Sequence, residues 1–246
     1  MKRVIGVFSS KGGVGKTTCA LNLAMAMHEF GNETMLVDCD IKNSNLGLHL
    51  GIYDFPITLQ DILEGDMNFL ESVHVHSSGL RIVPASISLR EFKTDLSKLS
   101  DIFSQVKHDL VLDTPPGANE DVAALINTCT DVAVITSPDL PSVTDSMKTI
   151  QMAKDLGKRV RGLIINRAEG KHELDPKDIE KVCGVPIIGI VPEDKNVRRS
   201  LYNKVPVVRY KPHAPSALAL KRIGANIIEK EYSPSIFTRL KSFLLS

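Results

Sequence analysis

Short, mostly apolar runs recur along the 246-residue chain, at 3–8, 34–38, 80–84, 109–112, 132–136, 160–165 and 186–191. Runs of this length without polar alternation read as strands buried on both faces. Helix-length segments lie between most of them, near 17–30, 90–106, 119–129, 142–156 and 174–183. In the first, Cys19 to Met27 carries apolar residues at helical spacing. The last opens on Asp175-Pro176, an N-cap followed by proline at the first helical position. Strand and helix in alternation predict an α/β fold, a mostly parallel twisted sheet with helices on both faces. Ligands of such sheets sit beyond the carboxyl ends of the strands. One unit is predicted over 1–232.

From residue 233 the pattern changes. Ser233 and Pro234 can start a helix, and Ile236, Phe237, Leu240, Phe243 and Leu244 then recur at helical intervals as one apolar stripe. Arg239 and Lys241 lie outside the stripe, and residues 233–246 contain no acid. A basic amphipathic helix of this kind can lie in a membrane interface with its aromatics below the headgroups. The competing reading is a last helix packed on the body of the domain.

Composition narrows the partners. Apolar content of 43% and charged content of 24% are those of an ordinary soluble globular protein. A net charge of +1 gives no bulk attraction to nucleic acid, so none is expected as partner. No stretch reaches membrane-spanning length, and a strand begins almost at the N-terminus, so the expected location is the cytoplasm. Cysteines at 19, 39, 129 and 183 show no C-x-x-C spacing and read as small apolar residues. His74 and His76 could share a strand face as metal ligands, but with no nearby cysteine or second histidine pair they read as two partly exposed strand histidines.

The chemistry concentrates in residues 9–18, Ser-Ser-Lys-Gly-Gly-Val-Gly-Lys-Thr-Thr, between the first strand and the first helix. This fits the phosphate-loop pattern, with Ser10 where its first glycine usually stands. Gly12, Gly13 and Gly15 free the backbone to curl, so that N–H groups through Val14 and Thr18 can face a polyphosphate. Lys16 offers a point charge to the β- and γ-phosphates, and Thr17 a hydroxyl to Mg²⁺. The following helix turns its positive end to the same anion. ATP and Mg²⁺ are the expected cofactors. Asp38 and Asp40 end the second strand, and Asp113 ends another, before Thr114-Pro115-Pro116-Gly117. A carboxylate at such a strand tip is the usual holder of Mg²⁺ in phosphoryl-transfer sites. Asn166 can read a base edge. It ends a strand together with Arg167, and the later turn Pro192-Glu193-Asp194 follows another strand.

Lys11 narrows the class. With K-G-G-x-G-K-[ST], the chain resembles the deviant Walker A ATPases of the MinD/ParA family, and residues 191–208 resemble its MinD branch. The resemblance covers nearly the whole chain. It implies an ATP-dependent homodimer in which Lys11 reaches the nucleotide of the other subunit. It implies that Asp38 lies near magnesium, that Asp40 in the first switch positions or activates the attacking water, and that residues 190–194 wrap the adenine. Asn45 is a further candidate polar contact. It also implies a membrane-targeting tail at 233–246, the inner face of the cell membrane as partner surface, and an unidentified client or regulator. The alternatives are a DNA-partition ATPase, which the apolar tail disfavours, and an iron–sulfur carrier ATPase. The D-T-P-P-G form favours the carrier slightly, and the missing C-x-x-C disfavours it.

Overall fold

The computed structural model describes residues 2–65, 67–87 and 95–233. The proposed tail helix, from residue 234 on, lies outside the described residues. Eight strands form one sheet: β1 (Val4–Phe8), β2 (Thr34–Asp38), β3 (His74–Val75), β4 (Arg81–Val83), β5 (Asp109–Asp113), β6 (Asp131–Thr136), β7 (Arg159–Ala168) and β8 (Ile187–Pro192). Their spatial order is β3-β4-β2-β5-β1-β6-β7-β8, parallel throughout except for the two-residue edge strand β3. The helices are α1 (Lys16–Glu29), α2 (Leu46–Leu50), α3 (Leu59–Glu64), α4 (Leu99–Ser104), α5 (Glu120–Thr128), α6 (Leu140–Asp155), α7 (Pro176–Cys183), α8 (Lys195–Tyr202), α9 (Val207–Tyr210) and α10 (Pro215–Ile227).

Successive strand residues serve two different cores, which is why the runs are apolar without alternation. Val4, Phe8, Met35 and Val37 face α3 to α7, while Ile5, Val7 and Leu36 face α1, α9 and α10. Every residue of β1, β2, β5 and β6 is buried. The cap predicted at Asp175 is present, its side chain accepting from the Lys177 N–H.

One expected helix is much shorter than predicted. In place of a helix over 90–106, the described part holds a 3-10 turn at Leu96–Lys98, capped by Asp95, and then the six residues of α4. Leu96, Leu99 and Phe103 still bury, so the apolar spacing was real but the regular helix spans only part of it. His74 and His76 are occupied separately, the former meeting the Ile57 carbonyl and the latter the Ser78 hydroxyl. All four cysteines are free and buried.

The sheet order places the chemistry. β1 lies between β5 and β6, and β5 lies between β1 and β2. The register sets Val7 beside Asp113, and Asp113 beside Asp38. The loop leaving β1 therefore emerges directly alongside both acidic strand tips.

Candidate nucleotide site

The loop between β1 and α1 is shaped by its glycines. Gly13 and Gly15 take left-handed backbone angles, φ +82° and +92°, which a side chain disfavours. Gly15 is also crowded: a Cβ there would lie 2.3 Å from Asn166 Nδ2. That amide nitrogen donates to the Val14 carbonyl at 2.7 Å, tying the loop to the end of β7. Ser10, the departure from the usual glycine, holds the other side of the loop. Its hydroxyl donates to the Asp145 carbonyl of α6 at 2.7 Å and meets Thr149 Oγ1 at 2.8 Å.

Lys16, only 7% exposed, points into a carboxylate cluster. Its Nζ lies 2.7 Å from Asp113 Oδ1 and 3.8 Å from Asp40 Oδ2. Asp38 is wholly buried behind them. One of its oxygens accepts from the Asp40 N–H and the other from the Ser44 hydroxyl at 2.7 Å. Desolvation, with Asp113 nearby, pushes the Asp38 carboxyl up to about 7. Desolvation also raises Asp40, to about 6, against the pull of Lys16. Asp40 Oδ1 and Asp113 Oδ2 are buried and meet no hydrogen-bond donor among the described residues. Two unmet carboxylate oxygens, one of them on a residue that lines the same cavity as Thr17, suit a hard divalent cation, whose ligands are oxygens. Asp38, with both oxygens engaged, stands behind that position and orients Asp40.

Two cavities meet at this loop. One, about 460 Å³, is lined by Lys11, Gly12, Gly13, Lys16, Thr17, Asp40, Asn43, Asn45 and Pro116 among others. The second, about 440 Å³, is lined by Cys19, Asn166, Glu169, Pro192, Glu193 and Asp194 among others. Gly15, Thr18, Arg167 and Leu201 belong to both walls. One chamber thus has the charges for phosphates and the other the mixed surface for a base. Arg167 sits at their junction with φ +60°, a strained angle for a non-glycine residue of the sort that collects at ligand sites.

Several predicted residues have protein duties as well. Asn166 spends its amide nitrogen on the loop. Asp194 caps α8 through the Asn196 N–H and holds both the N–H and the hydroxyl of Ser216 at the start of α10. Glu193 pairs loosely with Arg198 at 3.5 Å. Lys11, with 40% of its side chain exposed, lies 3.7 Å from Asp145, which Lys148 approaches more closely at 2.9 Å. Gly117, φ +106°, returns its N–H to the Ser9 carbonyl and so links the segment after Asp113 to the loop.

A buried strand, a glycine loop that opens a helix, and a lysine among strand-end carboxylates define a P-loop nucleotide site. Residues 1–228 match the family described as "ParA: NUBPL iron-transfer P-loop NTPase". The chain belongs to the ParA/MinD family of P-loop NTPases, whose cofactors are ATP and Mg²⁺. An uncharacterized ATP-binding protein of Methanocaldococcus jannaschii is 34% identical over 99% of this chain and 94% of its own. The septum site-determining protein MinD of Pyrococcus horikoshii, solved with Mg-ADP, superposes with a TM-score of 0.86 at 30% identity, over 92% of this chain and 96% of that one. The cell division ATPase MinD of Pyrococcus furiosus gives 0.87 at 30%, over 93% and 99%.

Proposed function

We propose that this chain is a MinD-type switch: an ATPase that dimerises with ATP, settles on the inner face of the cell membrane through residues 233–246, and leaves on hydrolysis. In that role it regulates cell division or positions other cellular machinery, through a client or regulator protein. The observation that carries the ATPase reading is the Lys16–Asp40–Asp113 cluster, with its two unmet oxygens beneath the glycine loop. The spatial role is supported by the two MinD structures that the fold superposes on.

The chemistry follows from the residues. The loop N–H groups and Lys16 bind the β- and γ-phosphates, leaving the γ-phosphoryl group facing the Asp40 side. Thr17 and Asp113 would hold Mg²⁺, which would supply positive charge to the phosphates. Asp40 accepts the proton of the attacking water; a carboxylate raised to about 6 is still ionised at neutral pH, yet basic enough for the task. Lys11 stands at the rim, exposed, and is the cation offered to a second subunit. In solution one tail binds lipid weakly, since a short helix is marginal in water. Two tails on one bilayer gain roughly 10²–10⁴-fold through avidity. ATP thereby sets membrane residence. Among the described residues no helix is long and apolar enough to cross a membrane. Iron carriage would need reachable thiolates, whereas all four cysteines are buried.

Liposome co-sedimentation tests the reading, comparing the full chain with one ending at Tyr232, each with ATP and with ADP. Binding that requires both ATP and the tail is expected. Lipid binding that ignores the nucleotide, or DNA binding with ATP in its place, would overturn it.

A further inference from the structure

Three buried polar atoms near the phosphate-side cavity meet no hydrogen-bond partner among the described residues: Asp40 Oδ1, Asp113 Oδ2 and His49 Nδ1. The two oxygens already have a use, Asp113 Oδ2 toward a cation and Asp40 Oδ1 on the carboxylate read as the base, while the other oxygen of each carboxylate faces Lys16. His49 has none so far. It belongs to α2, which follows the Asp40–Asn45 segment, and the residue is part of the wall of the same cavity as Lys16, Asp40 and Asn43. The helix that carries it is anchored. Lys204, just past the end of α8, donates from Nζ to the Leu48 carbonyl at 3.1 Å, and its stem packs over Gly51. The Nδ1 atoms of His108 and His213 are also unpartnered, but neither residue lines this cavity, and His108 approaches Glu33 through its other nitrogen. Leaving a buried polar group unpaired is costly enough that proteins rarely do so without a ligand, a water or a functional reason. Burial holds the His49 pKa below the ordinary value, with Lys204 and Lys16 adding to that effect against Asp113. The ring is therefore neutral at pH 7, with one N–H to donate.

We propose that His49 is a nucleotide contact whose imidazole N–H donates to the terminal phosphate of a nucleoside triphosphate, favouring ATP over ADP. The inference rests on the ATP-switch reading and deepens it. A terminal phosphate presents only acceptors, and Lys16 and the glycine loop line the β1 side of the cavity. His49 lies on the α2 side and offers that helix a direct contact with the group that is lost on hydrolysis. ADP lacks that group and leaves the ring as it is.

The experiment is calorimetric titration of the full chain with a non-hydrolysable ATP analogue and with ADP, both with Mg²⁺, for the unsubstituted protein, His49→Ala and His49→Asn. Asparagine keeps an amide near the Nδ1 position without the rest of the ring. His49→Ala should weaken the triphosphate about tenfold, equivalent to about 1.4 kcal/mol, and leave ADP within about twofold. His49→Asn should recover most of the loss. An equal fall for both nucleotides, no change for either, or an asparagine variant that behaves like alanine would each overturn the proposal. If the ATP reading itself is wrong, the unsubstituted chain binds neither nucleotide, which separates that failure from the failure of His49 alone.

Discussion

The contact between Gly15 and Asn166 allows the phosphate loop to be tested quantitatively. Gly15→Ala places a Cβ on a backbone at φ +92°, where an L-residue loses roughly 1–2 kcal/mol. That Cβ would lie 2.3 Å from Asn166 Nδ2, so the amide must swing away and give up its 2.7 Å bond to the Val14 carbonyl. A buried carbonyl left without its donor adds about 1–3 kcal/mol. The sum is roughly 2–5 kcal/mol, or roughly 4–20 °C in Tm for a chain of this size. Asn166→Ala alone should cost only the hydrogen bond. In the double variant the new methyl has room, because only Asn166 atoms lie within 4 Å of its position. The hydrogen bond is then lost once rather than twice, and the double variant should be about 1–3 kcal/mol more stable than additivity requires. Urea or thermal unfolding of the four proteins measures this directly. Additivity within about 0.5 kcal/mol would refute the reasoning, because it would mean that the two residues do not compete for the same space.

Acid should stabilise the nucleotide-free protein over part of the neutral range. Asp38 and Asp40 have folded pKa values raised to about 7 and about 6 from 3.8, so between those limits the native state holds more protons than the unfolded chain, and stability falls as pH rises. From pH 6 to pH 8 the loss should be about 1–2 kcal/mol in urea titrations without divalent cations, and Asp38→Asn should remove most of that slope. Asp40→Ala should slow ATP hydrolysis while ATP-dependent dimerisation, followed by light scattering, persists; rapid turnover would remove Asp40 from the role of base. Asp194→Ala strips the cap of α8 and leaves the Ser216 N–H and hydroxyl unmet, which should lower stability by about 2–4 kcal/mol in chemical denaturation. A loss below about 0.5 kcal/mol would show that the carboxylate is not holding the two helices together.

The phosphate loop and the strand-end acids were legible because their chemistry constrains the backbone: only glycine tolerates the angles at 13 and 15, and only a buried strand delivers Asp113 to that edge. The sheet was legible for a similar reason, since strands packed on both faces need unbroken apolar runs. Short elements were not. The edge strand β3 has two residues, and α2, α3 and α9 have four to six each, too few for periodicity to register. The helix α10 did leave a signal, Pro215 at its start with Ala217, Leu220, Ile223 and Ile227 on one face, but it follows a turn-like stretch that hides its beginning. Double duty is also invisible in a sequence. Asn166 and Asp194 read as base contacts in polar turns, and only the folded chain has the first bracing the loop and the second joining two helices. Nothing in the spacing of His49 points to the cavity; its place depends on how α2 is tied to Lys204.

Asp145 has two lysines, and this matters for Lys11. An ion pair broken at one end ordinarily strands a charge, but here Lys148 lies nearer to the carboxylate than Lys11 does. When Lys11 turns outward, Asp145 keeps a counter-ion, and the half-exposed lysine leaves water for water rather than a dry pocket. The barrier to its departure is therefore low, and Lys11 behaves as a cation on loan from the surface of α6, free to follow the strongest negative charge brought near the rim.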